Sequence, residues 1–281
     1  HLSIRRQRQM CIRDRNGIDN ARKNLLKFRV DVRLCDVDKQ FYLDYIDWLR
    51  SSCKTAWGKP VSPKTAHSYY TTLRTALNEA VRENLIASNP WYRLEMTEKI
   101  KVPESKRDFL TIEEIKRMMA TPFFNEQVRQ AYLFSCFCGL RISDIRKLRW
   151  RDLSMSGGQW RASVVMTKTI HPVYIPLSSQ AVKWLPERGD CTPDGLVFGG
   201  LPNEGNLCVN LKNWAEKAGV KKNVTFHTAR HSCAVLLLTL GADIYTVSKI
   251  LGHRSVRSTQ VYAKIVDKKK DDAIALVDNA F

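Results

Sequence analysis

The apolar positions of the first hundred residues recur at helical spacing. Phe41, Tyr45, Trp48 and Leu49 make one stripe, as expected where one face of a helix turns inward. Ser62-Pro63 is a helix start, with serine placed to cap and proline at the first helical position. Behind it Tyr69, Tyr70, Leu73, Ala76, Leu77, Ala80 and Val81 predict a long amphipathic helix, which Asn89-Pro90 breaks. The polar, charged stretch TEKIKVPESKRD then predicts a linker over 97–108. Thr111-Ile112-Glu113-Glu114 reads as a capping box that opens a new helix.

Beyond it the pattern changes. Residues 160–165 and 172–176 alternate and flank a turn, which predicts two short strands in a helical surround. The longest apolar run, around Ala234 to Ala242, predicts a buried helix. Asp243 caps a further helix with Ile244, Val247, Ile250 and Leu251 inward, which Gly252 ends. The fold class expected is mainly α with a small antiparallel β-sheet. It divides into a helical domain over 16–96, a linker and a larger domain over 109–281.

Composition narrows the partners. Lys plus Arg number 46 against 28 for Asp plus Glu, a net charge of +18 in 281 residues, which points to a polyanion. No apolar run approaches the ~20 residues of a membrane span, and no secretory h-region follows the N-terminal arginines. A cytoplasmic protein is therefore expected. The eight cysteines contain no CxxC pair, so neither a zinc framework nor a disulfide scaffold is expected. Cys136, Cys138 and Cys233 lie on apolar stretches and are expected to be core thiols. Gln9 to Asp14 reverse-translates as CAG ATG TGT ATA AGA GAC, the sequence of a transposon end used in library preparation. Residues 1–15 are accordingly expected to be an adaptor-derived or disordered segment, and their five arginines are set aside.

Four short segments carry candidate chemistry. Cys138-Gly139-Leu140-Arg141-Ile142-Ser143-Asp144 places an arginine before a helix expected to be capped by Ser143. His227-Thr228-Ala229-Arg230 sets two polar side chains three apart, on one face of a helix. Leu251-Gly252-His253 ends a helix with a histidine, and Tyr262 follows nine residues later. Taken singly, each also has a plain structural reading: a surface charge, an exposed helix start, a complement to the helix dipole and a core aromatic.

Together, in this order and spacing, they resemble the tyrosine recombinase (integrase) superfamily, above all the integrases of phages and mobile elements, over about residues 20 to 270. The resemblance implies a two-domain DNA clamp, with a helical core-binding (SAM-like) domain and a tyrosine-recombinase catalytic domain. It makes Tyr262 the nucleophile, forming a 3′-phosphotyrosine and freeing a 5′-hydroxyl. Arg141 and Arg230 match the two arginines on the non-bridging oxygens, where guanidinium forks give paired, charge-assisted bonds. His227 and His253 match two further phosphate donors. Lys168, between the two strands, matches the lysine that protonates the leaving 5′-oxygen, and Asp144 an acidic buttress. His231 is assigned to packing or structure. Lys54, Lys59 and Lys64, with Lys99 and Lys101 in the linker, are candidate DNA contacts.

No cofactor and no metal are implied. The partners implied are double-stranded DNA, a homotetramer on synapsed sites assembled from monomers, and accessory directionality or DNA-bending proteins. The C-terminal stretch, with Ala273, Ile274, Leu276 and Val277 as an apolar patch, is expected to dock on a neighbouring subunit. Resolution of chromosome or plasmid dimers, topoisomerase-like strand passage and a non-catalytic DNA-binding clamp stand as alternatives.

Overall fold

The computed structural model describes residues 17–101, 107–168 and 170–263. The expectations for residues 1–15 and for the C-terminal patch therefore lie outside the described residues. The chain divides into two units, His1–Ser105 and Lys106–Phe281.

The first unit is helical. Helix α1 covers residues 17–28, α2 Lys39–Ser51 and α3 Pro63–Arg82. The side chain of Ser62 caps α3 through the N–H of Thr65, so the first donors of the helix are satisfied. The buried face of α3 is Ala66, Tyr70, Leu73, Leu77 and Ala80, while Ala76 is exposed. That face packs on Phe41, Tyr42, Tyr45, Ile46 and Leu49 of α2. Ile100 joins the same core, so the chain is still anchored in this unit four residues past 96.

The second unit holds α4 (Ile112–Ala120), α5 (Glu126–Cys138), α6 (Ile142–Ile145), α7 (Ser179–Val182), α8 (Glu204–Lys217), α9 (Phe226–Thr239), α10 (Ile244–Ile250) and α11 (Arg257–Ala263). A three-stranded antiparallel sheet runs β1 (Leu153–Ser156), β2 (Gln159–Val165), β3 (Pro172–Pro176). Strand β1 was not foreseen. It buries only Leu153 of its four residues and is held by pairing with β2 across the Gly157-Gly158 turn, both glycines at positive φ. Thr111 makes the capping box with Glu114, and Cys136, Cys138 and Cys233 are buried.

Two local expectations are corrected. The apolar run to Ala242 does not stay helical: α9 ends at Thr239, Gly241 takes φ +102° and Leu240 is exposed. Ser143 is not a cap, because Arg141 holds the N-cap position of α6 and Ser143 lies inside the helix. Among the described residues no helix is long and apolar enough to cross a membrane.

Candidate active site

Helix α5 ends at Gly139, whose φ of +72° closes the helix in the left-handed conformation that glycine adopts without steric cost. A Cβ there would lie 2.6 Å from Leu251 Cδ2 and 3.3 Å from Cys233 Sγ. Helix α10 closes in the same way. The N–H of Gly252 bonds to Lys249 O at 2.9 Å and that of His253 to Ser248 O at 3.0 Å, the double return of a Schellman motif. Gly252 itself sits 2.9 Å, at its virtual Cβ, from Val173 of β3. Close approach at both glycines is what draws the Gly-Leu-Arg and Leu-Gly-His segments together.

Arg230 fastens them. It is 3% exposed on α9, donating through Nη1 to Gly139 O at 2.7 Å and through Nη2 to Leu251 O at 2.5 Å. Burial, followed by the charge of Arg141, lowers its pKa to about 10, which still leaves it cationic at neutral pH. Arg141 is half-buried, and burial lowers its pKa also, against the opposing pull of Asp144. Its Nη1 lies 3.9 Å from Met166 Sδ and 4.0 Å from Asp144 Oδ2. The buried Asp144 uses its other oxygen, Oδ1, to accept the backbone N–H of Thr167 at 2.8 Å. This fixes the β2–β3 turn to the arginine helix and sets the exposed Lys168 one residue beyond the bond.

His253 is held at Nδ1 by the hydroxyl of Thr259, 2.8 Å away and fully buried. Burial and the charges of Arg230, Arg141 and Arg107 push its pKa down to about 3, so the ring is neutral at physiological pH. Tyr262, on α11, is 1% exposed. Its Oη lies 2.5 Å from His231 Nδ1 and accepts from Arg107 Nη1 at 3.2 Å, and the Arg107 guanidinium stands 5.5 Å from the ring centroid. The phenol lies within electrostatic reach of Arg141 and Arg230.

Five of the six expected side chains thus reach the site through a traceable link. Arg141, Arg230, His253 and Tyr262 interact directly or through charge, and Lys168 is tied in through Thr167 and Asp144. His227 is exposed on the same helix, its ring 6.5 Å from that of His231. His231, expected to serve packing or structure, holds the phenol. It follows Arg230 by one and His227 by four, so helix geometry alone places all three on one face. Arg107 was also missed, since nothing local marks a residue 155 positions from its partner. Of the five candidate DNA lysines, Lys54, Lys59, Lys64 and Lys101 are exposed. The ammonium of Lys99 lies 4.1 Å over the Trp91 ring. Among the described residues no group of three His, Cys, Asp or Glu is placed to hold a metal ion.

Both units of the chain match known protein families. Residues 108–269 match the phage integrase family and residues 12–101 the phage integrase SAM-like domain. A tyrosine recombinase of Pseudothermotoga lettingae is 30% identical over 252 residues, covering 87% of this chain and 84% of its own length. Tyrosine recombinase XerD of Pseudomonas putida is 26% identical, over 83% of this chain and 80% of its own. Among solved structures, XerH recombinase bound to palindromic difH substrate superposes with TM-score 0.71 at 17% identity, over 94% of this chain and 79% of that one. The Tn1549 transposon integrase in complex with transposon right-end DNA gives TM-score 0.71 at 17% identity, over 94% of both. The fold is therefore that of a recombinase catalytic domain preceded by a SAM-like helical domain. The chain belongs to the phage integrase family of tyrosine recombinases, and it is a DNA strand transferase that cuts and rejoins DNA.

Proposed function

We propose that this chain is the site-specific integrase of a mobile element, inserting or excising it through a 3′-phosphotyrosine. The observation that carries the chemistry is the meeting of two buried or half-buried arginines, a neutral histidine and a tyrosine in one place. A phosphodiester under attack gathers negative charge on its non-bridging oxygens. Arg141 and Arg230 are cations fixed before the substrate arrives, and donors that need no reorganisation stabilise such a state most. Two N–H groups of Arg230 are spent on backbone carbonyls; its other donors are left for phosphate.

In this reading Tyr262 Oη attacks phosphorus, the P–O5′ bond breaks and Lys168 gives the leaving oxygen its proton. His227 and His253 donate to the phosphate, and Asp144 positions Arg141 and the Lys168 turn. The covalent ester keeps the energy of the broken bond, so the 5′-hydroxyl reverses the step without ATP or metal. The surplus of positive charge suits duplex DNA, with Lys54, Lys59, Lys64 and Lys101 as phosphate contacts. The protein acts as a tetramer on synapsed sites, in the cytoplasm at the nucleoid.

Support for an integrase is the match of both domains to phage integrase families and the likeness to a transposon integrase. Relatives named XerD and XerA favour a second reading, recombination between two copies of one site to resolve dimers. Plasmids carrying the DNA that flanks the gene separate the two. An integrase joins two different sites, the element junction and an empty target, whereas a resolver acts on a plasmid with one site directly repeated. Recombination of the repeat alone would replace the integrase reading by the second.

A further inference from the structure

The His231–Tyr262 contact bears on how the nucleophile loses its proton. Among the described residues Oη has two polar neighbours, Arg107 Nη1 at 3.2 Å and His231 Nδ1 at 2.5 Å. A guanidinium can only donate, so among the described residues the imidazole is the one acceptor for the phenolic hydrogen. Tyr262 is 1% exposed, which shuts bulk water off as an alternative. His231 also sits on α9 one residue after Arg230, which grips the two backbone carbonyls.

We propose that His231 is a catalytic base of the cleavage step, its Nδ1 taking the phenolic proton as Tyr262 Oη attacks phosphorus. The proposal rests on Tyr262 being the nucleophile. In the step, the Oη–P bond forms and the P–O5′ bond breaks. The phenolic proton passes to His231, O5′ receives its proton from Lys168, and both protons return on rejoining.

The surroundings keep the acceptor free. Burial, then the charges of Arg107, His227 and Arg230, hold the His231 pKa down at about 4, and His253 faces it as a further titrating neighbour. The lone pair at Nδ1 is therefore available throughout the neutral range. A base that weak takes the proton late in the step. Transfer becomes favourable only as the Oη–P bond forms, when the oxygen turns acidic and the anionic phosphate offsets the cations around the ring.

The test is single-turnover cleavage of a nicked duplex by the full chain. In His231→Asn the amide oxygen replaces Nδ1 as hydrogen-bond acceptor but cannot take a proton. It should fold, bind DNA and cleave about 10²–10⁴-fold more slowly, with a rate that climbs about tenfold per pH unit. A fluorinated, more acidic tyrosine at 262 should restore much of the loss. The unmodified protein should cleave at a rate that is flat between about pH 6 and 8, a readout that needs no variant. A rate for His231→Asn within about threefold of the parent, or above it, overturns the base; so does a defect that fluorotyrosine does not relieve. So too does a steep pH dependence in the unmodified protein. Absence of any covalent adduct from the unmodified protein overturns the nucleophile reading beneath it. An adduct lost in Tyr262→Phe but formed by His231→Asn at the parent's rate overturns the base alone.

Discussion

Arg230 donates to the carbonyl of Gly139 at 2.7 Å, joining two segments 91 residues apart in the chain. Its second bond, to Leu251, brings in the third. One guanidinium is therefore both a structural tie and the innermost cation of the site. Arg230→Ala should lose stability as well as rate, because two buried carbonyls are left without donors at about 1–3 kcal/mol each. Cleavage should fall at least about 10²–10³-fold, the scale of losing one preorganised donor. Denaturant melts alongside single-turnover cleavage would separate the two. A variant as stable as the parent would mean the carbonyls find other partners and the tie is dispensable.

Lys168 is exposed, but its turn is pinned through Thr167 to the buried Asp144. Lys168→Ala should slow cleavage of ordinary DNA far more than cleavage of a strand with sulfur at the leaving position, since a thiolate departs without a proton. Asp144→Asn should weaken the same step in part by loosening the turn. Equal defects of Lys168→Ala on both substrates would remove the lysine from the role of acid.

Two histidines make the folded protein sensitive to acid. Folded, His231 and His253 stay neutral down to about 4 and about 3; unfolded, each takes a proton near the usual value of about 6.5. Below about pH 6.5 the unfolded chain binds more protons, so stability that is whole above that pH is lost progressively towards pH 4. Melting curves between pH 7.5 and 4.5 should show the fall, and His231→Asn should show less of it. A melting temperature that does not change over that range would contradict the burial of both rings.

DNA affinity should fall steeply with salt on unrelated duplexes, because lysines and arginines that meet phosphate release counterions. Titrations at several ionic strengths measure the slope. A flat response would deny the basic surface its part in binding.

Much of this was legible in the sequence, for reasons that differ between residues. Caps at Ser62, Thr111 and Asp243 act on their own neighbours, so local sequence reveals them. Arg141, Arg230, His253 and Tyr262 were found because each stands in a short segment and the segments come in a fixed order. Strand β1 was hidden because Leu-Ser-Met-Ser has almost no alternation to display, and only its Gly157-Gly158 turn marked it. For His231 the sequence indicated a role in packing or structure, and its contact with the phenol appears only once α9 and α11 are packed together. Arg107 and Thr259 carry no local signal: their roles exist only once the chain has folded around Tyr262 and His253.

The account turns on one oxygen. Tyr262→Phe removes Oη and keeps the ring in its buried place, so folding and DNA affinity should match the parent. On a nicked duplex that traps the cleaved strand, denaturing electrophoresis should show a covalent protein–DNA species for the parent and none for Tyr262→Phe. The same species formed by Tyr262→Phe would mean that another residue attacks the phosphate and that Tyr262 is a core aromatic.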